Sequence, residues 1–134
     1  MSTDTMFTTH NPDSILAPLG PYSHGLEIPA GSRLLLVSGQ TPGLPDGRIA
    51  QGIEAQSEVV WTRIEAILRS AGMGTNHIVK VNTYLRHRSD APAYAHVRAR
   101  FLGEHRPAML GLVIADLFNI EYLLEVEVLA AQPT

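Results

Sequence analysis

Two repeating patterns of apolar positions organise the chain. From about Ile53 to Ala71, Val60, Ile64, Ile67, Leu68 and Ala71 recur at three- and four-residue spacing, which predicts a helix with one apolar stripe. Gly72 is its natural stop. The stretch "HIVKVNTYL" alternates instead: Val79, Val81, Thr83 and Leu85 fall on one side, Lys80, Asn82 and Tyr84 on the other. That period of two predicts a strand with one more polar face. Ser89-Asp90-Ala91-Pro92 then reads as the start of a second helix, with a capping side chain and a proline in the first turn. Tyr94, Val97, Phe101 and Leu102 form its buried stripe, and Gly103 closes it.

Leu34 to Val37 is a short, wholly apolar run between Gly31 and Gly39, too short for a helix and so a strand covered on both faces. Two more strands are expected near Met109 to Ala115 and Tyr122 to Ala130. In the last, Leu124, Val126, Val128 and Ala130 face one way, Glu125, Glu127 and Leu129 the other. Residues 17 to 25, "APLGPYSHG", form a shaped loop leading into a strand, and residues 1 to about 12 a loose arm or an added edge strand. The predicted order is β-β-α-β-α-β-β, an α+β layout in one domain spanning residues 1 to 134.

Two helices can cover only one face of such a sheet, yet Leu34 to Val37 is apolar on both. Burial yields roughly 25 cal/mol per Å², so a few hundred Å² per subunit favours self-association, with pockets between subunits.

Composition narrows the function. The 134 residues are 45% hydrophobic and 17% charged, with a formal net charge of -3. That is a globular balance, and no window holds the dense Lys/Arg cluster that tracks a phosphate backbone; nucleic acid is not an expected partner. No cysteine is present, which excludes disulfides, thiolate metal sites and a Cys nucleophile. "MSTDTMFTTHNP" has neither a positive n-region nor an apolar h-region, and no segment reaches the roughly 18 apolar residues of a membrane span. A soluble, cytoplasmic protein is expected.

Among His10, His24, His77, His87, His96 and His105 no pair stands at i, i+4, so no metal is expected. Ser23 and His24 are adjacent and would point to opposite sides of a strand, which argues against a triad and leaves His24 as a lining residue. The glycines from Gly39 to Gly52 match no dinucleotide or Walker pattern and are turn residues. Trp61 and Phe101 read as core or interface packing.

Five stretches, in order, are similar to the RidA/YjgF family: "GPYSHG" (20 to 25), "LLLVSGQTP" (34 to 42), "QSEVVWTRIEAILRSAG" (56 to 72), "HIVKVNTYL" (77 to 85), and "RPAM" followed by "LEVEVLAA" (124 to 131). The resemblance implies a chorismate-mutase-like α+β subunit, assembled as a homotrimer with small-molecule clefts at three interfaces. It implies hydrolysis of reactive enamine and imine acids, such as 2-aminoacrylate, to a 2-keto acid and ammonia, without metal or cofactor. Other family members are known mainly as small-molecule binders or carry an old endoribonuclease label.

Carried over residue by residue, the resemblance makes Tyr22 the pocket tyrosine, Gly39 a backbone position lining the cleft, and Glu127 the acid that positions water. Met109 departs from the pattern, because the position after Pro107-Ala108 resembles that of an arginine clamping the substrate carboxylate. Methionine cannot supply the two charge-assisted hydrogen bonds of a guanidinium. One such bond is worth about 1.5–3 kcal/mol, roughly tenfold to over a hundredfold in affinity. Either the substrate differs or another cation substitutes. Arg106 is nearest in sequence, with Arg63, Lys80 and Arg100 available only if the fold brings them to the cleft. A non-catalytic binding or regulatory trimer is the alternative, and an endoribonuclease a third.

Overall fold

The computed structural model describes residues 6–134. In chain order they form β1 (Thr8–His10), β2 (Gly25–Glu27), β3 (Arg33–Gln40), α1 (Ile53–Ser70), β4 (Ile78–Leu85), α2 (Ala91–Leu102), β5 (Ala108–Val113) and β6 (Leu124–Gln132). Single 3-10 turns, Thr75–His77 and Arg88–Asp90, precede β4 and α2. The expected α+β order is present with one strand more. Of the two readings of the N-terminal segment, residues 8–10 take the strand, antiparallel to β2; residues 1–5 of the expected arm lie outside the described residues. Phe7, Val79 and Ala131 are buried together, with Leu26, Ile28 and Leu129 packed on them. The hairpin is therefore tied down by apolar contact rather than loose.

The main sheet has the order β3-β6-β4-β5, with β4 and β5 parallel and the other neighbours antiparallel. Both helices lie on one face. Val60, Trp61, Ile64 and Leu68 of α1, with Tyr94 and Leu102 of α2, close over Val37, Val81, Leu85, Leu124, Val126, Val128 and Ala130. The three- and four-residue spacing of the α1 residues puts them on one stripe, which is why the helix docks by that side. After Ala71, Gly72 takes φ +74° and its N–H bonds to the carbonyl of Arg69. That left-handed conformation favours glycine and ends α1.

The opposite face is covered at one end only, where Phe7, Leu26 and Ile28 pack on Val79, Leu129 and Ala131; among the described residues the rest of it stays open. Leu34 is 58% and Leu36 79% exposed, and Leu110 and Leu112 of β5 are exposed too. The expected cover for both faces of β3 is thus supplied on the helix side only.

Local expectations fail at two places for identifiable reasons. Val79 does not share a side with Val81: pairing of β4 with β6 slips between Ile78 and Lys80, so Ile78 joins the helix-side core and Val79 the hairpin cluster. One extra residue in a ladder reverses the alternation beyond it. The cap expected at Ser89-Asp90 is also absent. Asp90 is the N-cap but makes no side-chain cap bond, because the preceding 3-10 turn puts its backbone in the helical region. Pro92 stands in the first turn as expected.

His105 is buried and its Nε2–H donates to the carbonyl of Ile78 at 2.6 Å, fixing the end of the α2–β5 connection to the start of β4. Burial, the largest cause, holds its pKa below the ordinary histidine value; the Ile78 carbonyl pulls the other way. In the window between that lowered value and about 6.5, the unfolded chain binds more protons than the folded one, so stability falls as pH falls. Urea unfolding at pH 7.5 and at pH 5.5 should show this loss. His105→Gln should lower stability at pH 7.5 and shrink the difference between the two pH values; an unchanged difference would remove His105 as its source.

Candidate functional site

The six residues singled out in the sequence fall into two groups. The first gathers round the loop before β5. Ser23 is buried, its Oγ donates to the carbonyl of Arg106 at 2.6 Å, and its N–H donates to the carbonyl of Pro107 at 3.1 Å. These two bonds bind "GPYSHG" to "RPAM". Tyr22, half-buried, accepts a hydrogen bond at its hydroxyl from the N–H of Leu19 at 3.2 Å, and its ring meets that of His24 edge-on at 5.8 Å. His24 is exposed, and its Nε2 lies 2.7 Å from the carbonyl oxygen of Leu16. Arg106 turns back on its own loop, donating through Nη1 to the carbonyls of Gly103 and His105 at 2.9 and 3.1 Å.

Met109 pairs with Val81 across the parallel β4–β5 ladder and packs, half-buried, against the helix-side core. It does not face the open side of the sheet.

The second group lies on that open side. Glu127 of β6 accepts at Oε1 two hydrogen bonds, from Tyr84 Oη at 2.8 Å and Asn82 Nδ2 at 3.1 Å. Both donors come from β4, where Asn82 stands opposite Glu127 in register. The hydrogen bond to Glu127, more than burial or the nearby charges of Glu127 and Glu125, pushes the Tyr84 phenol above its ordinary pKa. The phenol therefore keeps its proton and keeps donating across the neutral range. Gly39 completes the group. A side-chain carbon there would stand 2.0 Å from Oε2 of Glu125, so the glycine is what lets that carboxylate lie against β3.

Beside Glu127 the open face hollows to about 470 Å³, lined by Leu34, Leu36, Ser38, Lys80, Asn82, Glu127 and Leu129. Lys80 thus shares a recess with Glu127. The other cations named from sequence do not. Arg63 is spent on Gln40 Oε1 and the carbonyls of Thr41 and Gly43, and Arg100 pairs with Glu58 at 3.0 Å. Two larger hollows flank residues 43–51 and α1, and none of the six sequence-predicted residues lines them.

Sequence reasoning missed Ser23, Asn82 and Tyr84 as parts of the site. The alternation of β4 places Asn82 and Tyr84 on the polar side, and the cross-strand register to Glu127 is what gives them a role. Ser23 carried no signal of its own, since its partners are main-chain carbonyls more than eighty residues away. Among the described residues no cluster of three or more His, Cys, Asp or Glu could hold a metal ion, and no helix is long and apolar enough to cross a membrane.

Comparison with known proteins bears on the family and the fold. The family model described as endoribonuclease L-PSP matches residues 12–132. A RutC family protein of Pyrococcus abyssi is 33% identical over 132 residues, covering 97% of this chain and 98% of its own. Among solved structures, YyfB of Yersinia pestis, a protein of the Rid family, superposes with a TM-score of 0.80 at 27% identity, covering 93% of this chain and 98% of its own. E. coli TdcF, crystallised with bound serine, superposes with a TM-score of 0.71 at 27% identity, over 87% of this chain and 91% of its own. A match running nearly end to end, in sequence and in fold alike, means that this chain belongs to the RidA/YjgF family, the family of the endoribonuclease L-PSP model.

Proposed function

We propose that three copies of the chain assemble through their open sheet faces in a chorismate-mutase-like trimer. Clefts between the copies take a small metabolite, and there a reactive imine or enamine is hydrolysed to a keto compound and ammonia. The observation that carries this reading is the Glu127 carboxylate, held by Tyr84 and Asn82 on the face that also leaves Leu34 and Leu36 unpartnered. A carboxylate oriented by two donors beside an apolar surface is suited to aligning one water.

The division of the site supports assembly. Met109 and Glu127 stand on opposite faces of one sheet, so a single chain cannot present both to one ligand. A cleft that uses both must draw them from two copies. That a relative, TdcF, holds serine favours a ligand of amino-acid size bearing a carboxylate.

In the reaction, water adds to the imine carbon while Glu127 accepts its proton; the proton passes to nitrogen, the carbon–nitrogen bond breaks, and ammonia leaves as the carbonyl forms. One water is consumed and one ammonia released, with no oxidant. Lys80 is placed to hold a substrate carboxylate beside Glu127. Because Met109 stands where the family resemblance expects a guanidinium, specificity differs from that for 2-aminoacrylate. The packing of Met109 on the core favours, as a second reading, a trimer that binds its metabolite without turnover.

Two measurements test the proposal. Sedimentation at micromolar concentration should give a mass of three chains, and ammonia release from imines of small 2-oxo acids, generated in situ, should exceed the buffer rate by at least tenfold. Isolated protomers would refute the assembly. A trimer with no rate above buffer on any imine offered leaves the binding reading.

A further inference from the structure

Between β3 and α1 the chain turns on "LPDGR" (44 to 48), which holds the only Asp-Gly pair of the 134 residues; no Asn-Gly pair is present. An aspartate before glycine is the one most open to attack by its own backbone, because glycine has no side chain to hinder the approach of its nitrogen to the carboxyl carbon. We propose that Asp46 is a spontaneous modification site, where aspartate isomerises to isoaspartate, and that Arg48 holds this reaction back in the folded protein.

In the reaction the Gly47 nitrogen attacks Cγ of Asp46 and the bond from Cγ to one side-chain oxygen breaks. That oxygen leaves as water, with one proton from the carboxyl group and one from the nitrogen. The five-membered succinimide then takes up water. Addition at Cγ restores aspartate, whereas addition at the main-chain carbonyl of residue 46 leaves the chain running through Cγ as isoaspartate. One water leaves and one returns, so the mass is unchanged and no oxidant is needed. The step requires a protonated carboxyl group and a nitrogen free to approach it.

The fold denies both. Gly47 N–H donates to the carbonyl of Leu44 at 2.9 Å, and Leu44 N–H to the carbonyl of Arg48 at 2.8 Å. With Gly47 at φ +91°, this is a three-residue hairpin loop, a turn followed by a bulge. The Asp46 carboxylate accepts twice from Arg48, at Oδ1 from the main-chain N–H at 3.0 Å and at Oδ2 from Nε at 2.6 Å. These bonds, the main-chain one first, hold its pKa below the ordinary value, so the acid form that reacts is scarce. Burial does not shield the bond: residues 46–48 are exposed, and a side-chain carbon on Gly47 would meet nothing within 4 Å. The protection is therefore chemical, and the Arg48 side chain supplies its charged part.

Isoaspartate would lengthen the main chain by one carbon inside the Leu44–Gly47 turn. Gly43, paired with Ile49 across the same hairpin, offers its carbonyl to Arg63 Nη1 at 3.3 Å, and Arg63 Nε donates to Gln40 Oε1 at 3.0 Å at the end of β3. Damage at residue 46 thus has a route to the strand that carries Gly39. The inference requires neither the trimer nor the deamination proposed above.

The test incubates the full chain in oxygen-18 water at neutral pH and follows residue 46 by peptide mapping, which separates the two isomers and counts each passage through the succinimide as one heavy oxygen. Arg48→Ala should isomerise about two- to fivefold faster than the wild type, the effect of losing an exposed ion pair. The Arg48 side chain is 77% exposed, so its removal should leave the fold intact by circular dichroism. Arg48→Lys, which keeps the charge without the Nε donor, should lie between the two. Wild-type chain unfolded in urea should react faster than the folded protein by about tenfold or more, since the nitrogen then loses both its hydrogen bond and its fixed position. Asp13-Ser14, exposed in another loop, is the internal reference and should react alike in the wild type and Arg48→Ala. Equal rates at residue 46 in the wild type and Arg48→Ala, or acceleration at residues 13 and 46 together, overturn the role of Arg48. Folded wild type reacting as fast as the chain in urea overturns the protection, and no isoaspartate at residue 46 even in urea overturns the site.

Discussion

Replacing Trp61 by alanine is expected to cost about 3–5 kcal/mol of folding stability, the range for removing a fully buried large aromatic side chain. Trp61 is entirely buried, stacked on Phe101 with ring centroids 5.9 Å apart and planes 30° from parallel. It stands on α1 and Phe101 on α2, so this pair joins the two helices above the sheet. The main loss is transfer free energy plus the cavity left behind. A domain of this size holds only about 5–15 kcal/mol in total. Denaturant unfolding should therefore show a midpoint lowered by a large fraction of its wild-type value. A change below about 1 kcal/mol would mean that the helix layer repacks freely and is not the rigid support assumed for the sheet.

What could be seen of this fold in the sequence follows from how local each signal was. The stripe from Val60 to Leu68 and the stop at Gly72 are set by residues within a few positions of one another, and α1 ends one residue before the expected Ala71. The alternation of Leu124 to Ala130 likewise survives, since β6 is paired on both sides and must keep one register. Val79 was misplaced because the slip beside it is decided by β6, more than forty residues away. Asp90 failed as a cap because a 3-10 turn fixes its backbone first.

Gln56 shows the same limit from another side. It is polar, yet it lies four residues before Val60 on the buried side of α1. Its amide donates to the carbonyls of Ala50 and Glu121 and accepts from the N–H of Leu123. It thereby fixes both loops that border the end of α1. No periodicity within the helix encodes partners that lie on two other segments.

The candidate site was legible as residue types and not as geometry. Tyr22, Gly39 and Glu127 were marked by resemblance to the family, but Met109 and Glu127 were treated as one constellation. The ladder registers separate them: Met109 lies beside Val81, and Glu127 beside Asn82, the next residue of β4, whose side chain points to the opposite face. One residue of register decides whether two side chains can meet a common ligand. Here it puts Met109 and Glu127 on opposite faces of the sheet.

Glu127→Gln should lower the rate of imine hydrolysis by about 10²- to 10⁴-fold, the usual contribution of a positioned general base, while ligand affinity changes by less than about tenfold. The amide keeps the shape of the carboxylate and still offers an oxygen to Tyr84 Oη, so the strand pairing of β4 with β6 has no cause to shift. It can no longer accept the proton of the attacking water. Tyr84→Phe is the companion variant. It removes the 2.8 Å donor but leaves the carboxylate charged and the Asn82 bond in place, so its effect on rate should be smaller, about the tenfold that one hydrogen bond to a charged group supplies at the low end of its range. Single-turnover rates and equilibrium titrations on the same preparations separate the two quantities. If Glu127→Gln turns over as fast as the wild type, the base lies elsewhere and the open-face recess is not catalytic. If affinity collapses along with rate, Glu127 acts chiefly in holding the ligand, which a carboxylate can do only for a group that donates to it. The substrate would then have to present its nitrogen, and not its own carboxylate, to β6.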